Sequence, residues 1–192
     1  FFSTPTPPYA IPLRLVGSEM CIRDRINSLP KPVIMLAEGA AMAGGLGMLC
    51  AGDVVVVTED CKFALTETTL GIPPAQIAPF VAQRIGLSKA RRIMLTAARF
   101  TGKEAFEMGL ADFLAKDPED LRVIEGEIKK GVMKCAPGAN AITKEIVLST
   151  RNLSREEMIQ FAAKGFAKSM LSDEGMEGIS SFIEKRKPKW SK

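Results

Sequence analysis

The stretch GAAMAGGLGMLCAGD, Gly39 to Asp53, limits the possible folds more than any other part of the chain. It holds five glycines and four alanines in fifteen positions and carries no charge before its last residue. An apolar run, Val33–Ala37, precedes it, and four valines, Val54–Val57, follow it. Such runs are typical of buried strands, and Gly44–Ala51 between them is long enough for two helical turns. The sequence therefore predicts a strand, a tight turn, a helix and a second strand that pairs in parallel with the first.

The glycines of this turn have two explanations. Glycine lets the backbone approach a ligand closely, and the free N–H groups at a helix N-terminus attract an anion or an oxyanion. Alternatively, small residues simply allow tight packing of a helix on a sheet. A dinucleotide loop is excluded because Gly45, Gly47 and then Cys50 break the G-x-G-x-x-G spacing, and no Walker lysine follows.

The composition excludes several classes of mechanism. Histidine is absent, which removes Ser-His-Asp and Cys-His nucleophiles and H-E-x-x-H zinc sites. Four widely spaced cysteines form no C-x-x-C pair, so the sequence predicts no disulfide framework, no metal site and a reducing, cytoplasmic location. One Trp and one Tyr without basic-aromatic interleaving argue against nucleic acid, and the uncharged run is too short for a membrane span.

The second half of the chain has the pattern of successive helices. Capping boxes at Thr101–Glu104 and Ser154–Glu157 mark two helix starts, and a third helix is predicted behind Ser88. A last helix within EGMEGISSFIEKRK carries a basic tail. The predicted fold class is α/β with a helical C-terminal portion.

Three segments in order resemble the enoyl-CoA hydratase/isomerase family, the crotonases. They are KPVIMLAEGAAMAGGLGMLCAGDVVVVTEDCKFALTETTLGI, RIGLSKARRIMLTAARFTGKEAFEMGLAD and EGMEGISSFIEKRKPKW, and the likeness runs from about residue 26 to residue 190. It implies a partial ββα spiral core over 26–118 and a C-terminal helical region over 119–192 that forms a homotrimer or a dimer of trimers. It also implies an acyl-CoA thioester ligand, no membrane, no metal and no separate cofactor, since coenzyme A is part of the substrate.

The resemblance assigns roles to individual residues of the site. Gly44, with Gly45 beside it, matches the glycine whose N–H stabilises the thioester enolate. Glu67, in FALTETTLG, matches the second family glutamate, which moves a proton at the acyl chain. The first family glutamate is missing, and its position falls at Gly47. We therefore expect Gly47→Ala to be tolerated better than Gly44→Ala.

The basic tail gains a role from the same resemblance. Phe182 and Lys185, in SSFIEKRKPKW, match positions that contact the nucleotide of coenzyme A, often across a subunit boundary. A lysine suits a phosphate as a point charge.

A site with one carboxylate leaves three functions open. The segment TETTLGIPPAQIAPFVAQRIG resembles the sequences of the family branch that hydrates methylglutaconyl-CoA or isohexenylglutaconyl-CoA. This hydratase function is the favoured one. An isomerase that moves one proton with Glu67 is the second, and a non-catalytic acyl-CoA-binding or oligomer-forming chain is the third. Because glutaconyl-type substrates carry a second carboxylate, Arg84, Arg91 and Arg92 are candidate partners for it.

Residues 1–25 show no resemblance to the family. Members have further strands upstream that carry a second oxyanion-hole N–H, and nothing here matches them. The string PPYAIPLRLVGSEMCIRDR resembles translated sequencing-adapter text joined to a truncated reading frame. We therefore expect residues 1–25 to be a non-native or disordered leader, and the chain by itself to be inactive.

Overall fold

The computed structural model describes residues 22–191, where strands and helices alternate first and helices alone follow. The strands are β1 (Ile34–Ala37), β2 (Ala40–Met42), β3 (Val54–Thr58), β4 (Lys62–Ala64), β5 (Arg99–Thr101) and β6 (Phe113–Ala115). The helices are α1 (22–28), α2 (Gly44–Cys50), a 3-10 helix (Glu67–Leu70), α3 (Ala78–Leu95), α4 (Gly102–Glu107), α5 (Pro118–Val132), α6 (Pro137–Ser149), α7 (Arg155–Met170) and α8 (Asp173–Ile183). Residues 22–25 of the expected leader lie in α1, and the prediction for residues 1–21 lies outside the described residues.

The described strands form two sheets of three strands each. One has the order β1-β3-β6 and is parallel throughout. The other has the order β2-β4-β5, in which β2 and β4 are parallel and β5 is antiparallel to β4. Pairing of β1 with β3 runs from Ile34 opposite Val54 to Ala37 opposite Val57. The predicted unit of strand, helix and parallel strand is confirmed, but Ala40–Met42, expected to lie in a tight turn, forms β2 of the second sheet.

The four valines of β3 show why that run lacks polar alternation. Side chains of a strand point alternately to the two faces of its sheet. Val55 and Val57 lie in the large core with α2 and α3, whereas Val56 lies in a second cluster with Leu121 of α5. Both faces of the sheet are therefore covered, as is usual for parallel strands.

Helix α3 begins earlier than the sequence analysis predicted. It starts at Ala78, with a proline in its first turn, and not behind Ser88. Gly86 interrupts it with φ of 78° and ψ of 160°, a conformation that glycine adopts without strain. Because this break falls just before Ser88, the helical pattern is regular only in the second half.

The C-terminal helices have the caps that the sequence predicts. Both capping boxes are present, with Thr101 accepting from the Glu104 N–H and Ser154 accepting from the Glu157 N–H. Helix α6 is fastened to the turn before β3 through Lys144, whose Nζ donates to Asp53 Oδ2 at 2.7 Å. Within residues 22–191, no helix combines the length and the apolar character that crossing a membrane requires.

Candidate active site

The glycine-rich stretch places the start of α2 at the edge where two parallel strands end. Met42 of β2 pairs with Ala64 of β4, and parallel strands end at the same edge of their sheet. Ala43, the residue before the helix, donates its N–H to the Ala64 carbonyl at 2.9 Å. Ala43 has φ of 45° and ψ of −115°, a strained conformation that turns the chain sharply from β2 into Gly44. The first N–H of α2 is thereby fixed next to the chain that leaves β4.

That chain leads directly to Glu67, the first residue of the 3-10 helix. The Glu67 carbonyl accepts from the N–H groups of Gly71 and Ile72, and Thr68 Oγ1 donates to the Met94 carbonyl at 3.2 Å. These bonds attach the short helix to α3 and fix the Glu67 backbone. The side chain of Glu67 is half-buried, and its Oε2 is buried without a hydrogen-bond partner among residues 22–191. Because such an oxygen is costly to leave unpaired, it is suited to receive a donor from a ligand.

Glu67 and Gly44 line the same pocket, which we call the Glu67 pocket. Its volume is about 430 Å³, and the segment Ile72–Ile77 forms one wall. Arg23 completes the lining; it is 4% exposed and donates from Nη1 to Gln76 Oε1 at 3.3 Å. The structure thus brings together the predicted oxyanion donor and the predicted acid-base group. The sequence analysis did not predict that Gln76 and Ile77 line the pocket. The only local signal was the pair Pro73 and Pro74, which indicates a rigid segment but not its position in the fold.

The structure reverses the expected tolerance of Gly47 and Gly44. A Cβ on Gly47 would overlap Ile77 Cγ2 and would lie 2.6 Å from Ile77 Cβ, so no side chain fits there without moving the backbone of one of them. A Cβ on Gly44 would meet only Arg23 Nη2, at 3.2 Å, and the end of a long side chain can move. Gly47 is therefore a close-packing position, and Gly47→Ala is the more disruptive substitution for the fold. The packing explanation of the glycine-rich stretch therefore holds at Gly47.

The three arginines that were candidate partners for a second substrate carboxylate lie outside the Glu67 pocket. Arg84 forms an ion pair with Asp112 and donates to the carbonyls of Leu110 and Gly52, so its guanidinium fastens loops of the core. Arg92 lines a different pocket, and Arg91 is exposed on α3. None of the three lines the Glu67 pocket.

The predicted coenzyme A contacts lie at the other end of the chain. Phe182 is 85% exposed near the end of α8, and Lys185 is exposed just beyond that helix with φ of 52°. Neither lines the Glu67 pocket of the same chain. Gly45, the second residue of α2, is exposed beside Gly44.

Two buried thiols are unsuited to catalysis. Burial raises the pKa of Cys50 to about 12. Burial, together with the nearby Asp60 carboxylate, raises the pKa of Cys61 to about 11. At neutral pH both remain protonated and are poor nucleophiles. In the described part of the chain, no three Cys, Asp or Glu side chains converge in a way that could hold a metal ion.

Comparison with known proteins assigns the chain to a family. The family model described as enoyl-CoA hydratase/isomerase matches residues 20–192. A probable enoyl-CoA hydratase of Bacillus subtilis is 32% identical over 170 residues, and a peroxisomal Delta(3,5)-Delta(2,4)-dienoyl-CoA isomerase of Arabidopsis thaliana is 30% identical over 183 residues. The matches cover 88% and 93% of this chain but only 66% and 65% of those relatives, so the chain spans just under two thirds of their length.

A solved structure agrees with this assignment. Pseudomonas aeruginosa AtuE shares 40% sequence identity and superposes with a TM-score of 0.91, over 94% of this chain and 70% of that protein. The described sheets and helices are therefore those of the crotonase fold. With the family model, the relatives and the fold in agreement, the chain belongs to the enoyl-CoA hydratase/isomerase family.

Proposed function

We propose that the protein is an acyl-CoA hydratase that adds water across the double bond of a 2-enoyl-CoA thioester of glutaconyl type. The observation that carries the proposal is that Glu67 and the first residue of α2 line one pocket, and that Glu67 Oε2 is buried without a hydrogen-bond partner among the described residues. A carboxylate and an N–H at a helix start are the two groups that proton transfer next to a thioester requires.

The reaction can proceed with Glu67 as the only carboxylate. Glu67 removes a proton from water while the hydroxide adds to C3, and the electrons of the double bond move onto the thioester oxygen. The Gly44 N–H, with Gly45 next in the helix, stabilises that enolate; one such donor in a dry site is worth about 3 kcal/mol. The protonated Glu67 then returns its proton to C2, the enolate collapses to the thioester, and the carboxylate is regenerated.

Isomerisation is the second candidate function, and the single carboxylate favours it. Glu67 would remove a proton from C2 of a 3-enoyl thioester and return it to C4, with the same enolate between the steps. The similarity to a dienoyl-CoA isomerase supports isomerisation as the second candidate. A chain that only binds acyl-CoA would do neither.

The remaining parts of the proposal concern the surroundings of the site. Gln76 is a polar side chain of the Glu67 pocket, and its amide N–H can donate a hydrogen bond to a carboxylate at the far end of a glutaconyl group. Phe182 and Lys185 are proposed to contact the nucleotide of coenzyme A in a homotrimer or a dimer of trimers, and no separate cofactor is required. A cytoplasmic location is supported by the free thiols of Cys50, Cys61 and Cys135.

The test compares three substrates in the full-length gene product that carries these residues. A hydratase removes the ultraviolet absorbance of 3-methylglutaconyl-CoA and of crotonyl-CoA, whereas an isomerase creates that absorbance from a 3-enoyl-CoA. For a glutaconyl-type hydratase we expect 3-methylglutaconyl-CoA to have the highest kcat/KM. A higher value for crotonyl-CoA would contradict the substrate class, and no absorbance change with any of them would contradict catalysis.

The role of Glu67 is tested by Glu67→Gln, which keeps the shape of the side chain and removes the acid-base group. We expect kcat to fall at least about 100-fold while acyl-CoA binding measured by calorimetry stays within a few-fold. Glu38→Gln is the matched control, because Glu38 is exposed and does not line the pocket. Near-normal turnover of Glu67→Gln would remove Glu67 from the mechanism.

A further inference from the structure

Ile77 is the part of the Glu67 pocket that no sequence motif explains. It lies just before the first turn of α3, is 3% exposed and belongs to the large core. It also lines the Glu67 pocket, so one side of this side chain packs on the protein and the other side borders the ligand space.

The position of Ile77 is fixed by its packing against Gly47. A Cβ at position 47 would overlap Ile77 Cγ2 and lie 2.6 Å from Ile77 Cβ. Since the clash includes the Cβ of Ile77, a change of rotamer cannot relieve it. A β-branched side chain also has few rotamers. Because Ile77 Cβ and Cγ2 lie directly on Gly47, the side chain has little room to retreat towards α2 when a ligand group is too large.

The backbone of Ile77 and of the first residue of α3 is bound to the segment that precedes it. The Ile77 N–H donates to the Pro74 carbonyl at 3.2 Å, and the Ala78 N–H donates to the same oxygen at 3.0 Å. Pro73 and Pro74 further restrict the backbone that leads into the helix. The wall is thus stiff in its backbone as well as in its side chain.

We infer that Ile77 is the specificity-determining residue of the Glu67 pocket, a rigid apolar stop that sets how much alkyl bulk an acyl group can carry next to Glu67. This inference rests on the proposed acyl-CoA function of the pocket. A rigid wall discriminates by size, because a ligand that is too large must displace well-packed atoms. Shortening Ile77 by one methylene opens room for one additional carbon in the ligand.

The experiment measures binding, so that it does not depend on turnover. The probes are 3-methylpentanoyl-CoA and 3-ethylpentanoyl-CoA, saturated thioesters in which one branch at C3 grows from methyl to ethyl, one carbon more than the methyl branch of the proposed substrate. Calorimetry gives the ratio of their dissociation constants for the full-length gene product, for Ile77→Val and for Ile93→Val. Ile93 is fully buried in the same core and does not line the Glu67 pocket, so the control removes the same methylene without changing the pocket.

Ile77→Val is expected to shift the ratio about tenfold in favour of the larger ligand, 3-ethylpentanoyl-CoA, the effect typical of one methylene in an apolar pocket. Ile93→Val should lower the thermal stability about as much as Ile77→Val does but leave the ratio of the two dissociation constants unchanged. An unchanged ratio in Ile77→Val, with both ligands bound, would overturn the inference and leave the proposed function standing. If neither thioester binds the unsubstituted protein, the proposed function and the inference both fail. Ile77→Ala provides a second variant, for which a larger shift in the same direction is expected.

Discussion

At position 47, glycine is required by packing and not by backbone conformation. Gly47 lies inside helix α2 and is buried against Ile77. We expect Gly47→Ala to lower the free energy of unfolding by about 1–3 kcal/mol, the usual cost of adding a methyl group to a filled core. Urea unfolding followed by circular dichroism measures the change.

Gly126→Ala is the matched control for this substitution. Gly126 lies in the interior of helix α5, and a Cβ there would meet nothing within 4 Å. The same change of glycine to alanine should therefore stabilise the protein by about 0.5–1 kcal/mol, because alanine favours the helix. If Gly47→Ala did not destabilise the protein more than Gly126→Ala, the result would contradict the close packing of Ile77 on Gly47.

The two pocket residues Gly44 and Ile77 differ in how far sequence could predict them. The family resemblance points to both Gly44 and Glu67, whereas the glycine-rich turn alone left packing and anion binding as open alternatives. Ile77 was not predictable, because its contact with Gly47 joins positions far apart in the chain and depends on the approach of α3 to α2. Local sequence patterns do not show which residues far apart in the chain come into contact.

Within residues 22–191, the hydrogen bonds from helix α6 to the first half of the chain all come from one side chain, Lys144. Lys144 Nζ donates to Asp53 Oδ2 at 2.7 Å, to the Lys31 carbonyl at 3.3 Å and to the Ile26 carbonyl at 3.4 Å. Asp53 Oδ2 also accepts from the Val33 N–H, just before β1. We expect Lys144→Met to destabilise the protein by about 2–3 kcal/mol, because it leaves a half-buried carboxylate short of its charged partner. Thermal unfolding followed by calorimetry is the measurement.

An ion pair on the surface of α5 gives the comparison for Lys144. Lys129 Nζ lies 2.8 Å from Glu125 Oε1, but the lysine side chain is largely exposed. Lys129→Met should change the free energy of unfolding by no more than about 0.5 kcal/mol, as is usual for exposed pairs within one helix. Equal effects of the two substitutions would show that Lys144 does not fasten α6.

The elements that sequence predicted are those with strong local signals. Strands β1 and β3 were visible as apolar runs, and α4 and α7 as capping boxes. The three-residue strands β2, β4, β5 and β6 were not, because so short a strand is fixed by its partner and not by its own residues. The early start of α3 was hidden for a related reason, since the helix changes direction at Gly86.

Over the whole molecule, apolar surface is distributed unevenly. Helices α7 and α8 expose large apolar side chains on the outside of the described chain; they are Ile159, Phe166, Met170, Met176, Ile179, Phe182 and Ile183. Ile159, Phe166 and Met170 recur at the spacing of one face of α7, which we call the α7 face. Exposed apolar patches of this kind mark association surfaces. This surface is the one that the proposed homotrimer would bury, and Phe182, the proposed contact to coenzyme A, belongs to it.

We therefore expect the full-length gene product to have a mass in solution of three or six chains, and Phe166→Lys to convert it to smaller species. A lysine in the centre of the α7 face would place a charge in a dry interface, where it finds no partner unless the surfaces separate. Size-exclusion chromatography with light scattering measures the mass. Leu87→Lys is the control, because Leu87 is similarly exposed but lies on α3, away from the C-terminal helices. A monomeric unsubstituted protein, or a trimer unaffected by Phe166→Lys, would show that the α7 face does not mediate assembly.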